Sequence, residues 1–236
     1  MQGGYFSYAL LAALATALLV AAFTDLRRRQ IDNWLNAAVA LGAPLFWYAS
    51  GFTWTQIGWQ LALAGIASLV LIVLFALRMM GGGDVKLLAA LALWVPPLAF
   101  AKLILMMSLI GGALSIAIAA RNLEQVDGAR LRNLLAYCAA AIWVSLCAYA
   151  VWRIATSQPL AISGLAEAVR LGPIGQWLVW GVLASGLLIG VAGALEIIRR
   201  QRKRLPIPYG VAISIAGLWM LAAQYFPIAA GGENLG

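Results

Sequence analysis

The chain has 236 residues, of which 64% are hydrophobic and 10% charged, with a mean hydropathy of +0.92. Soluble domains are about half apolar and about a quarter charged. This composition therefore excludes an ordinary water-soluble fold and points to one integral membrane domain over residues 1–236. The net charge of +8 does not indicate nucleic acid, because the cations form short clusters between apolar runs, where they act as topology signals and can touch anionic membrane lipid.

A membrane-crossing helix needs about 20 apolar residues. The first candidate runs from Tyr5 to Phe23. It has no basic leader in front of it and ends in FTDLRRRQ, so a retained membrane helix is expected rather than a cleavable signal. The second covers Trp34 to Gly51, and the third Ile57 to Leu77. A shorter run follows from Val85 to Val95, broken by Pro96 and Pro97. Further runs cover Leu98–Ala120, Leu134–Trp152, Trp177–Ile198 and Tyr209–Phe226. The expected fold is all-α, a polytopic membrane bundle of about eight transmembrane helices.

The cations support that count. Arg27, Arg28 and Arg29 follow the first run, and Arg78 and Lys86 flank the glycines after the third. Arg121, Arg130 and Arg132 follow the fifth, and the Arg199–Arg204 cluster follows the seventh. If every run crosses, these clusters fall on one side, which the positive-inside rule makes cytoplasmic, with both termini periplasmic. Arg153 and Arg170 fall outside, and Lys102 can snorkel. The segment between the sixth and seventh runs has the makings of an interfacial amphipathic helix.

Only eight residues are acidic. Glu124, Asp127, Glu167 and Glu233 fall in loops or the tail and read as solvated charge, and Glu196 reads as an ion-pair partner of the basic cluster beside it. Asp25 and Asp84 differ. One closes the first run and the other opens the fourth, both at the cytoplasmic level. A carboxylate at a bilayer boundary is costly unless paired or used, which makes both functional candidates. The plain alternatives are that Asp84 caps the following helix and that Asp25 pairs with Arg27–Arg29. Gly81, Gly82 and Gly83 precede Asp84. Without side chains they permit unusual backbone angles and close approach of an extended peptide, or simply a tight turn.

Two facing aspartates can share one proton, so that one takes a proton from water while the other polarises a peptide carbonyl. That chemistry needs no cofactor and no metal. The chain has no histidine, so Ser-His, Cys-His and H-E-x-x-H sites cannot be built. Cys138 and Cys147 do not form a C-x-x-C pair and read as buried apolar residues. A Ser–Lys pair would have to use Lys102 with Ser108. The aspartate pair is the strong candidate if the chain is a hydrolase.

Two stretches, GGGDVKLLAALALW from Gly81 to Trp94 and TDLRRRQIDNWLN from Thr24 to Asn36, resemble the two aspartate motifs of the type IV prepilin peptidases, the GxGD-type membrane aspartyl proteases. A third, LPIPYGVAISIAGL from Leu205 to Leu218, resembles the segment opening that family's last helix. The resemblance covers the first 120 residues and the last 35 or so. It implies that Asp25 and Asp84 are the catalytic pair, that Gly81 and Gly83 supply the G-x-G with Gly82 between them, and that Asn33, Lys86 and Arg29 support the site or the substrate.

By that resemblance the chain would be an aspartic endopeptidase of the bacterial inner membrane. It would remove the short basic leader of prepilins or pseudopilins at the cytoplasmic face, for pilus assembly or type II secretion, in the company of pilus-assembly proteins. Asp32 departs from the family pattern, where proline is usual. Residues 121–200 look like a helical hairpin inserted into a six-helix core. The domain with two C-x-x-C pairs that accompanies N-methylation in larger members is missing, as in the short form serving Tad/Flp-type pili, so methyl transfer is not expected. Two other classes remain open: a proton-coupled transporter using the same aspartates, and a non-catalytic pilus-assembly subunit.

Overall fold

The structure is a computed structural model that describes residues 4–122, 130–156 and 209–225. All regular structure among these residues is helical: α1 (Tyr5–Arg28), α2 (Asn33–Ala49), α3 (Trp54–Ala76), α4 (Gly82–Leu91), α5 (Pro97–Arg121), α6 (Arg130–Ala155) and α7 (Tyr209–Tyr225). The expected run Trp177–Ile198, the segment before it, the Arg199–Arg204 cluster, and Glu124, Asp127, Glu167, Glu196 and Glu233 lie outside the described residues. Among the described residues, four helices are long and apolar enough to cross a membrane: α1, α3, α5 and the Ala136–Ala155 part of α6. They fit a multi-pass membrane protein.

The chain divides into two compact units, residues 1–108 with 208–236, and residues 109–207. The boundary falls within α5. In the second unit, Ala119 and Ala120 of α5 meet Ala136 and Ala140 of α6, with Ile116 packed against them. Small side chains of this kind let membrane helices approach closely.

The first unit holds the aspartates. In α1 the buried residues are Ser7, Leu11, Leu14, Leu18, Ala21 and Asp25. Their spacing alternates between four and three, the pattern that keeps one stripe of a helix against a partner. Asp25 is thus the last residue of a core stripe. That stripe packs on α7, where Gly217 admits the Leu18 side chain: a Cβ there would meet Leu18 Cδ1 at 3.0 Å. The sequence reading ended the first run at Phe23, but the helix continues through Thr24–Arg28, so Asp25 lies inside α1 rather than beyond it.

The opposite faces are apolar and open. Leu61, Ile66, Leu69, Val70, Ile72, Val73 and Phe75 of α3 are all exposed, the pattern of a helix facing lipid tails. Tyr5, Tyr8, Tyr48, Trp54 and Trp59, near helix ends, are also exposed, where amphipathic rings suit the membrane–water interface.

The short α4 is the opposite case. Its Leu87, Leu88 and Leu91 are fully buried among α2, α3 and α7. Ten residues give about 15 Å of helix, too little to hold together alone, so its neighbours hold it. Beyond its end the carbonyls of residues 92–95 would be orphans in an apolar interior. Each receives a side-chain donor. Gln60 Nε2 donates to the Ala92 carbonyl (2.7 Å) and to that of Val95, Trp47 Nε1 to Leu93 (2.9 Å), and the Tyr225 hydroxyl to Trp94 (3.3 Å). Trp94 in turn donates its Nε1–H to the Val39 carbonyl (2.8 Å) and stacks on Phe46 with ring centroids 5.3 Å apart. Three helices thereby fix where α4 ends, and so where it begins.

Candidate active site

Asp84 stands in the first turn of α4. The cap position of that helix is Gly81, which makes no side-chain bond, and Asp84 makes no capping hydrogen bond. The plain capping role is therefore not what the structure shows.

Asp25 and Asp84 line one pocket of about 400 Å³. Arg29, Gln30, Ile31, Asp32, Asn33 and Gly81–Gly83 complete its wall. The turn between α1 and α2 supplies one side and the glycine run the other. Arg29 takes a left-handed backbone (φ 56°) and its N–H donates to the Asp25 carbonyl (2.9 Å). This ends α1 in a tight turn and leaves the guanidinium close enough to act electrostatically on the Asp25 carboxylate.

The Asp25 side chain, 6% exposed, is held from the far end of the chain. The Val211 N–H donates to Asp25 Oδ2 at 3.3 Å, and the Gly210 amide also acts on it. Both belong to the first turn of α7, whose free amides attract a carboxylate. Gly210 is required there, since a Cβ would lie 2.9 Å from Asp25 Cγ and 2.8 Å from Ile31 Cδ1.

Burial is the larger cause, and the negative charge of Asp25 the second, that raises the Asp84 carboxyl from its ordinary 3.8 to about 6. The two acids, about sixty positions apart in sequence, therefore sense each other. Two carboxylates that interact strongly enough can share one proton.

The glycine run works differently from the expectation. None of Gly81, Gly82 and Gly83 has a positive φ. What matters is the missing side chain. A Cβ on Gly81 would meet Asp84 Oδ2 at 2.9 Å, one on Gly82 the Phe75 ring at 3.2 Å, and one on Gly83 the Ile31 Cβ at 3.2 Å. The protein itself makes the close approach, pressing the α1–α2 turn onto the start of α4.

Of the other residues singled out in the sequence, Asn33 lines the pocket and accepts a 2.7 Å hydrogen bond from Lys86 Nζ, which ties α2 to α4. Lys86 itself does not line the pocket. Four residues of the site region carry no role in the sequence pattern. Ile31 is the apolar contact of both Gly83 and Gly210. Asp32 brings a third carboxylate to the pocket wall and makes no capping bond to α2. Asn36, buried at 5% exposure, donates its Nδ2–H to the Gly83 carbonyl (3.4 Å). Val211 donates to Asp25. The Pro-Tyr-Gly stretch that opens α7 was the signal for the last. For Asn36, the only signal was a polar residue in an apolar helix. Among the described residues no group of three or more His, Cys, Asp or Glu side chains is placed to hold a metal ion.

Compared with known families, residues 12–116 match the type IV leader peptidase family. The match spans both aspartates, Arg29, Asn33, the glycine run and Lys86. It is consistent with a prepilin peptidase-type protein and supports a leader peptidase-like function in general, a peptidase acting on protein substrates. No curated protein and no solved structure matches the chain.

Proposed function

We propose that the chain is a membrane aspartic endopeptidase that removes the basic leader of prepilin-type substrates, with Asp25 and Asp84 as its catalytic pair. The observation that carries this reading is the shared pocket, where Asp84 is raised to about 6 beside the Asp25 carboxylate. Asp25, cradled by the first-turn amides of α7, carries the negative charge and draws a proton from water. Asp84 carries the proton and gives a hydrogen bond to the scissile carbonyl, where negative charge develops as water adds. The tetrahedral species then collapses as the amine leaves with a proton from the pair. Arg29 neutralises part of the pocket's charge, and Asp32 adds a negative site beside which a basic leader can lie. By the positive-inside rule, Arg27–Arg29 and Arg78 support a pocket that faces the cytoplasm at the inner membrane.

The test is cleavage of a synthetic substrate with a basic leader, a glycine and an apolar helix by the purified chain in lipid vesicles. Asp25→Asn and Asp84→Asn should each lower the rate by about 10²–10⁴-fold, the usual worth of a positioned acid or base. Normal cleavage by either variant would remove the pair from the mechanism. Proton flux across the vesicle membrane without any cleavage would favour the transporter reading instead.

A further inference from the structure

α2 and α3 both pack on α4, and between them they leave a groove of about 540 Å³. Small residues line much of it, Ala37 and Ala40 of α2, Ala64 and Gly65 of α3, and Ala89 and Ala90 of α4, with Leu61 and Leu93 beside them and Lys86 at the α4 side. Asn33 lines both this groove and the aspartate pocket, so the two are adjacent. Small residues along a membrane groove let another helix lie close.

A second observation comes from Asn36, which also lines the groove. Its Nδ2–H donates to the Gly83 carbonyl, which can only accept, and this fixes which way the amide is turned. Its Oδ1 is then left buried with no hydrogen-bond partner. A buried acceptor without a donor is costly and calls for one. Just past the scissile bond, the substrate's apolar helix has the complementary shortage. The first four N–H groups of any helix have no partner within it, and in an apolar setting they need one.

Resting on the function proposed above, we infer that the α2–α3–α4 groove receives the first turns of the substrate's apolar helix, and that Asn36 Oδ1 accepts one of that helix's unpaired N–H groups. The enzyme thus caps the substrate helix in trans. This sets where the helix begins, and so which peptide bond, upstream of the capped turn, is left extended between the aspartates. Asn36 is a positioning residue: it reaches the substrate backbone and, through Gly83, the start of α4.

Two experiments in vesicles test this. The first uses glycines of α3 that face open space, so that neither change disturbs the bundle. Gly65 lies in the groove and Gly58 does not. With the helical substrate, Gly65→Trp should raise KM about tenfold or more with little change in kcat, as loss of uniform binding does, while Gly58→Trp should leave both unchanged. The second replaces single amides in the first turn of the substrate helix with esters, which removes one N–H at a time. At one position the ester should lower kcat/KM about tenfold with the native chain and have no effect with Asn36→Ala, the mark of two coupled groups. The groove assignment is overturned if Gly65→Trp behaves like Gly58→Trp, the result expected if only lipid tails fill the space. Additive effects of ester and Asn36→Ala at every position overturn the capping role. A native chain that cleaves no leader-bearing substrate defeats the proposed function, and the groove assignment with it.

Discussion

Asp84 carries two opposed demands in one side chain. Its carboxyl is raised from 3.8 to about 6 by burial and by Asp25, so the folded chain holds this proton more tightly than the unfolded chain does. Folded stability is therefore lost as pH rises from about 4 to about 6, by up to about 3 kcal/mol for a shift of roughly two pKa units. Asp84→Asn removes that loss. The variant should cleave far more slowly yet melt at a higher temperature than the native chain at pH 7, with the difference shrinking toward pH 4. Thermal unfolding in detergent at both pH values checks this, and a variant less stable at pH 7 would contradict it. On the proposed mechanism, cleavage should fall as pH rises past about 6, where Asp84 loses its proton. Gly210 makes a sharper residue-scale case. In Gly210→Ala the new methyl has to displace the Asp25 carboxylate or Ile31. Because a shift of about 1 Å in a reacting group can cost about 100-fold, a 10- to 100-fold drop in kcat is expected, measured beside a circular dichroism spectrum that stays helical.

The short helix α4 shows where sequence patterns stop being informative. Its start was legible only to within a turn: the apolar run begins at Val85, whereas Gly82, Gly83 and Asp84 already belong to the helix. Its end was legible only as a break at Pro96. The donors that secure that end, Trp47, Gln60 and Tyr225, come from three helices and follow no periodicity, so no reading of spacing finds them. The start of α3 is a different miss. Thr53 and Gln56 form a reciprocal capping box, a local signal that places the helix start at Trp54 rather than Ile57. In the sequence Asn36 is one more residue of a motif, and only the fold brings it to the Gly83 carbonyl. Gln60→Leu tests the carbonyl latch. It strands the buried Ala92 and Val95 carbonyls, each of which costs on the order of 1–3 kcal/mol. The variant should unfold at clearly lower temperature while retaining cleavage in the cold. If its melting temperature matches the native chain, the latch does not hold α4.

For the molecule as a whole, the distribution of cations is the coarse signal and the aspartate pocket the fine one. Both put the α1–α2 turn and the start of α4 at one end of the first unit, while the 3.5 Å Ser50–Ser7 hydroxyl contact marks the other end of the α1–α2 pair. In a background with Cys138 and Cys147 replaced by alanine, single cysteines at Arg28 and Met79 should react with a membrane-impermeant thiol reagent only from the cytoplasmic side. A cysteine at Tyr48 should react only from outside. Labelling of all three from one side would overturn the orientation. The α1–α7 pairing was the least legible global feature. A heptad-like stripe ending in an acid says that Asp25 faces a partner, but not that the partner lies 186 positions on.

That long separation bears on how the protein is made. Asp25 leaves the ribosome early, and Asp84 follows well before the middle of the chain. The amides that receive Asp25 belong to a segment synthesised after both. Until Gly210 and Val211 have been threaded into place, an unfinished chain carries both acids without the seat that arms them. On the proposed mechanism, proteolytic power would arrive only once α7 has been made, and a nascent chain would spare its neighbours in the membrane.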